Sequence, residues 1–176
     1  MIKKLLMLVL FVAPMSLAAQ KFAHFDYTLV MQSMPAVKAA QAELETIGKQ
    51  YQDELAGMEK EIQTKIEKYQ NEINDQTPEN IRTRRMQEIQ EMQQRFQQAS
   101  EDNQKAYNET ASKKMQPLIQ KVMDTVNTVA KEGNYIYIID KTASQSAGVF
   151  INEAISEDVT KKVMDKLGIS AAAPAK

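Results

Sequence analysis

Cysteine and tryptophan are absent from this 176-residue chain, which holds one histidine, five glycines and five prolines. Without cysteine there is no disulfide, thiolate nucleophile or lipid-modified cysteine, and no zinc site of the cysteine type. The sole imidazole, His24, has Asp26 two residues away on the same face of a short strand, and no further ligand lies near it in sequence. It therefore reads as a structural strand histidine, since a metal or acid–base centre needs more partners. No glycine-rich phosphate loop, nucleophile elbow or rigidly set carboxylate pair is present. These absences predict a protein that is not an enzyme and uses no cofactor and no metal. A basic excess is missing too, with 22 Lys+Arg against 23 Asp+Glu, so no nucleic-acid partner is expected. The one long apolar run, Leu5 to Val12, falls short of the roughly 20 residues that cross a bilayer.

That run has another reading. Lys3 and Lys4 precede it and Ser16-Leu17-Ala18 supplies small residues after it. This is the pattern of a secretory signal peptide over residues 1–18, cleaved near Ala18 or Ala19. Losing Lys3 and Lys4 leaves 20 basic against 23 acidic residues, a net charge of −3.

From about Ala36 to Glu132 the chain reads as helix with one interruption. Leu44, Ile47, Tyr51, Leu55, Met58, Ile62, Ile66, Tyr69 and Ile73 recur in steps of three and four, and the pattern repeats every 11 residues. Such a repeat matches the relaxed α-helix, so the stripe runs nearly straight. It is too narrow for burial inside a globule and suits one partner helix. Asn74 to Pro78 is the break. Asn and Asp favour turns, Thr77 can cap the next helix, and Pro78 fits its first position. An antiparallel hairpin over 36–117 follows, with its turn near 74–78. Placing Gln76 at the apex sets Pro35 level with Pro117, which should kink the returning helix. Tyr51 then faces the polar run Gln97 to Gln104, where Ala99 is the only apolar residue, and Gly48 and Gly57 weaken the outgoing arm. Slack, solvated packing and a functional bend both fit that pattern.

Segments 21–35 and 118–168 form a body. Lys21 to Tyr27 is a strand candidate. Tyr135-Ile136-Tyr137-Ile138-Ile139 is a second, apolar on both faces like a strand covered on both sides. Val149-Phe150-Ile151 follows a polar loop as a third. Ser156 caps a last helix, Glu157 to Leu167, ended by Gly168, and residues 169–176 read as a disordered tail. The fold class is α+β. A body this small is marginal alone, so it reads as an oligomerisation unit. Arg82, Arg84 and Arg85 cluster just beyond the turn. They suit anionic lipid headgroups, or are simply balanced by Glu79, Glu88 and Glu91.

The order of parts resembles the Skp/OmpH family of periplasmic chaperones. The matches are Lys21-Phe22-Ala23-His24-Phe25-Asp26 opening the mature chain, the glutamine-rich hairpin, and Tyr135 to Asp140 followed by the helix ending at Leu167. The resemblance covers about residues 21–168 and rests on architecture rather than one motif. It implies a periplasmic homotrimer, with Phe22, Phe25, Tyr135, Tyr137 and Ile139 in its body and three hairpins as tentacles around a cavity. It implies an ATP-independent holdase for unfolded outer-membrane proteins; the tip arginines add anionic lipid or lipopolysaccharide as a further partner. Met58, Met92, Phe96 and Met115 are the candidate client contacts, because flexible Met-rich surfaces suit weak, non-directional binding. Met86 is expected in the hairpin seam. One departure stands out: the family's best-known members are strongly basic and this chain is not. The competing reading is a structural coiled-coil hairpin adaptor of an envelope assembly, whose lipoyl-like or barrel domains have no counterpart here.

Overall fold

A short parallel sheet and two long helices account for most of the structure, a computed structural model that describes residues 20–144 and 146–169. The signal segment expected over 1–18 lies outside the described residues, as does the tail from residue 170. In chain order the elements are β1 (Lys21–Phe25), α1 (Tyr27–Ser33), α2 (Pro35–Glu72), α3 (Glu79–Gly133), β2 (Tyr135–Asp140), α4 (Lys141–Ser144), β3 (Glu157–Asp158) and α5 (Thr160–Lys166). The chain divides into two compact units. One is Pro35–Leu118, and the other joins the residues up to Met34 with those from Ile119 onward.

The body is a three-stranded sheet ordered β2-β1-β3, with both pairs parallel. Parallel neighbours need long crossovers, and α2 and α3 lie between β1 and β2 in sequence. Ala23, His24 and Phe25 of β1 are all buried, as befits a central strand covered on both faces. The sequence reading gave that property to β2. Instead β2 is an edge strand, with Ile136, unpaired at an irregularity in the register, and its neighbour Tyr137 both exposed. Apolar side chains on both sides of a strand signal two buried faces only when something covers them, and within the subunit the covered strand is β1. Valines dominate the core: Val30 from α1, Val122, Val126 and Val129 from the end of α3, and Val159 and Val163 around α5. Burying each such side chain contributes roughly 1.5–3 kcal/mol.

Three aspartates organise the C-terminal ends of the strands. The Asp26 carboxylate accepts from the Leu29 amide at 2.7 Å and caps α1. Asp140 accepts from the Thr142 amide at 2.9 Å and Asp158 from the Thr160 amide at 2.8 Å. Each strand thus hands over to its helix beside an aspartate that takes a backbone amide of the following residues, and at α1 that aspartate is the N-cap. Cross-ties hold the ends together, since the Asp26 amide donates to the Thr160 hydroxyl at 2.9 Å and the Lys141 ammonium lies 3.4 Å from Asp26. The last helix therefore starts at Thr160 behind Asp158, not behind Ser156. Glu157–Asp158, read as helix, pairs with Ala23 and His24 as β3, whereas residues 149–151, read as a strand, are in none.

Gly168 closes the last helix, as its place in the sequence predicts. It adopts φ +72, its amide bonds the Asp165 carbonyl at 3.1 Å and the Ile169 amide reaches the Met164 carbonyl at 2.9 Å. That pair of bonds is a Schellman closure, and Ile169, assigned to the tail, is buried by it. At the end of α3 the left-handed residue is Asn134, φ 52, rather than Gly133. Gly133 serves a different need: a Cβ there would overlap the Tyr135 ring.

Within the hairpin unit all nine residues of the 11-residue stripe are buried or half-buried. The turn is held by Asn74, whose side chain accepts from the Gln76 amide at 3.0 Å and whose carbonyl accepts from the Thr77 amide at 3.0 Å. Thr77 does not cap α3. Its hydroxyl accepts from the Asn74 amide at 3.1 Å, and the Pro78 carbonyl takes the first helical bond, from Arg82 at 3.2 Å. Helix α3 continues through Pro117. Among the described residues no helix is long and apolar enough to cross a membrane.

Candidate functional site

The arms meet along a seam that is wet for most of its length. Val37, Ala40 and Leu44 are buried in α2, and every other seam residue of the hairpin unit is at most half-buried. Cross-arm polar contacts set the register: Lys65 to Glu88 at 3.3 Å, Asn103 to Glu54 at 3.1 Å, and Lys114 to Glu43. A fold symmetric about Gln76 would place residues 87, 98 and 109 opposite 65, 54 and 43. Helical side chains lean toward their own N-terminus, which in antiparallel arms adds about two residues to each such pairing. The rest is the reach of long polar side chains.

Two clefts open on the seam. The outer one, about 330 Å³, has Met58, Ile62 and Met92 as its apolar lining and Lys65, Glu88 and Arg95 among its charged groups. The mid-arm cleft is about 650 Å³ and lies between Leu44, Tyr51 and Leu55 on α2 and Ser100, Asn103 and Tyr107 on α3. Tyr51 does face polar partners, as its level in the hairpin predicts. Gly48, read only as a weak point, also makes room for an aromatic ring: a Cβ there would sit 3.4 Å from Tyr107.

The structure brings Met58 and Met92 together in the outer cleft. Phe96 and Met115 are half-buried on α3 and line neither cleft. Met86, expected in the seam, is 48% exposed. The half-buried series on α3 runs Ile81, Arg85, Ile89, Met92, Phe96, so Met86 falls one position off it and the Arg85 stem fills the place.

Two of the three tip arginines are engaged. Arg82 pairs with Glu79 at 2.8 Å and Arg85 with Glu88 at 3.2 Å. Arg84 is exposed and makes no ion pair among the described residues. The Lys65 hydrogen bond holds the Glu88 carboxyl below its ordinary value of 4.5; partial desolvation opposes the shift and Arg85 adds to it. A lowered folded value stabilises the hairpin above the unfolded value and is lost as pH falls through the folded one. Thermal unfolding should show this. The native protein should melt above the Glu88→Gln variant at neutral pH, and the gap should close below about pH 4.5. A gap that persists in acid would mean that the contact is not ionic.

In the body, Phe22 and Tyr137 stack with ring centroids 6.2 Å apart and are 43% and 62% exposed. Phe25 is buried, edge-on to Tyr27 at 6.4 Å. It belongs to the subunit core and not to an outer face. Ile139 is half-buried and registers with His24. Tyr135 is tied down locally, donating to Glu157 at 2.6 Å and accepting from Lys162 at 3.0 Å. Burial, then the Glu157 contact, pushes its hydroxyl above the ordinary value. Phe150, read as part of a third strand, and Ile155, which sequence reasoning did not single out, are more exposed still, at 90% and 82%. Their signal was present, since both are large apolar residues between the polar run Thr142 to Ser146 and the last helix.

His24 is buried on the central strand. Its Nδ1 lies 2.9 Å from the Ser156 hydroxyl and its Nε2 4.0 Å from Asp158. Burial opposes ionisation of Asp158, but hydrogen bonds from Thr160 and the nearby His24 and Lys141 outweigh it and leave the carboxyl below its ordinary value. Among the described residues no group of three or more histidines and carboxylates is placed to hold a metal ion.

Known proteins share this arrangement. The family described as "Outer membrane protein (OmpH-like)" matches residues 21–167. A chaperone protein Skp from Yersinia enterocolitica is 28% identical, covering 86% of this chain and 90% of its own length. One from Yersinia pestis is 30% identical over 83% and 87%. Among solved structures, an OmpH-like outer membrane chaperone from Caulobacter crescentus CB15 superposes with a TM-score of 0.66 at 19% identity, over 84% of this chain and 83% of that one. With a family match across the sheet, the hairpin and the last helix, this chain belongs to the OmpH-like family, whose relatives here include Skp chaperones.

Proposed function

We propose that the protein is an ATP-independent holdase of the periplasm, which shelters unfolded outer-membrane proteins between the arms of a homotrimer. The observation that carries this reading is the hairpin seam, which stays half-exposed beyond Leu44 and opens into clefts lined by methionine, isoleucine and tyrosine. A holdase needs many weak contacts that conform to varied sequences, and flexible apolar side chains on a wet surface provide them. The trimer reading is supported by the exposed Phe22, Ile136, Tyr137, Phe150 and Ile155 of the body. That is more large apolar surface than a small soluble unit usually leaves open, and a three-stranded sheet gains stability by association.

Light scattering tests the activity. A urea-unfolded outer-membrane barrel diluted into buffer without nucleotide should stay clear at one trimer per client. Aggregation at the rate seen without the protein would refute the holdase reading and favour a structural hairpin adaptor.

A further inference from the structure

The mid-arm cleft carries a charge pattern unlike the rest of the hairpin. Residues 43–54 and 98–109 flank it and hold seven carboxylates against two lysines. The outer hairpin, residues 55–95, is nearly balanced, with eight carboxylates against seven basic groups. Among the described residues most carboxylates of both zones lack a cationic partner, so the difference between the zones is one of net charge. Outer carboxylates Glu79 and Glu88 meet Arg82, Arg85 and Lys65. Of the mid-arm carboxylates, Glu43 alone pairs with a cation, Lys114, while Glu54 takes a hydrogen bond from Asn103 and Asp102 one from Gln98. Among the described residues Glu45, Asp53, Glu101 and Glu109 have no cationic partner, and all four are exposed.

The floor of the cleft is apolar and aromatic: Leu44, Tyr51, Leu55 and Tyr107. Glu45 and Asp53 stand on its rim with Lys49. Uncompensated charge around a low-dielectric groove concentrates its field there. Tyrosine faces attract ammonium and guanidinium groups by about 0.5–1 kcal/mol at exposed sites. Apolar floor and acidic rim together complement an extended chain that carries lysine or arginine among apolar residues.

We infer that the mid-arm cleft docks positively charged, unfolded segments of client polypeptides, and so gives this chaperone a preference for basic stretches. The inference rests on the chaperone reading and names the class of segment within the client. Charge complementarity chooses the occupant: an acidic segment would meet seven like charges, and a purely apolar one would leave the rim without partners.

Two labelled, unstructured peptides of equal length test this, identical except that lysine and arginine in one are aspartate and glutamate in the other. Their binding to the full mature protein is read by fluorescence anisotropy at low and high salt. The basic peptide should bind at least about tenfold more tightly at low ionic strength, and the difference should shrink as the Debye length falls to roughly 3 Å near 1 M salt. Glu45→Gln with Asp53→Asn should weaken the basic peptide about fivefold, whereas Glu59→Gln with Glu67→Gln on the outer hairpin should change it less than twofold. These exposed, near-isosteric replacements keep the helices, which circular dichroism verifies. Equal binding of the two peptides, or equal effects of the two double variants, would overturn the inference. The barrel-aggregation assay separates the two readings. Suppression without peptide preference removes this inference alone, and preference without suppression removes the holdase reading alone.

Discussion

Tyr137→Asp is expected to convert the assembled protein into single subunits. Tyr137 is 62% exposed on an edge strand and stacks on Phe22, so its ring supports little of the fold within one chain. In an assembly built on this edge the same ring lies at the centre of the contact. Truncating such an aromatic anchor costs 2 kcal/mol or more, and an unpaired carboxylate buried in its place costs further. Sedimentation equilibrium at micromolar concentration should give a mass near three chains for the native protein and near one for the variant, with the helical signal unchanged. An undiminished mass would place the assembly surface elsewhere, with Phe150 and Ile155 the next residues to replace.

Hydrogen exchange along the arms should be uneven by about tenfold, the equivalent of roughly 1.4 kcal/mol in opening free energy. Amides of residues 46–53 and 98–105 flank the larger cleft and are expected to exchange faster than those of 60–70 and 84–94, where the Lys65–Glu88 pair ties the arms and Arg85 holds Glu88 in place on its own helix. Local opening is easiest where few buried contacts resist it. Filling the cleft should reverse the order. Ser100→Leu with Asn103→Leu points two apolar side chains at Tyr51 and Leu55, because Ser100 and Asn103 line the cleft and Glu101 does not. Uniform protection along both arms would rule out a hinge at this level. If the hinge sets cavity size, the filled variant should hold a narrower range of client sizes.

The hairpin was legible because its signal is local and repeated. Nine stripe residues, eight of them on α2 and Ile73 just past its end, declare one wet helix with one partner, and Asn74 to Pro78 carry their own turn chemistry. The returning arm was read less well. Its apolar positions are sparse, so Met86 looked like a seam residue when Arg85 holds the place. The sheet shows a different limit. Tyr135 to Ile139 announce two apolar faces, but composition cannot say whether a strand's cover comes from its own chain, and here β1 is the strand covered from within. Strand β3 had no signal at all: Glu157 and Asp158 are poor strand formers, and their conformation comes from pairing with Ala23 and His24 and from the bond that Asp158 accepts from the Thr160 amide. Ser156 looked like a helix cap because serine usually is one, yet its hydroxyl is taken by His24, 132 residues away in sequence. In the candidate site, Met58 and Met92 were identified before any geometry, since both lie on the arms. The mid-arm cleft was foreseen as a packing gap, but its acidic excess is visible only once the fold brings residues 43–54 and 98–109 to one level.

Native mass spectrometry of the mature protein mixed with an unfolded outer-membrane barrel, in the absence of nucleotide, measures assembly and client capture at once. The expected species is three chains with one client bound, alongside the free trimer. Single chains only, or trimers that never carry client, would contradict a trimeric holdase.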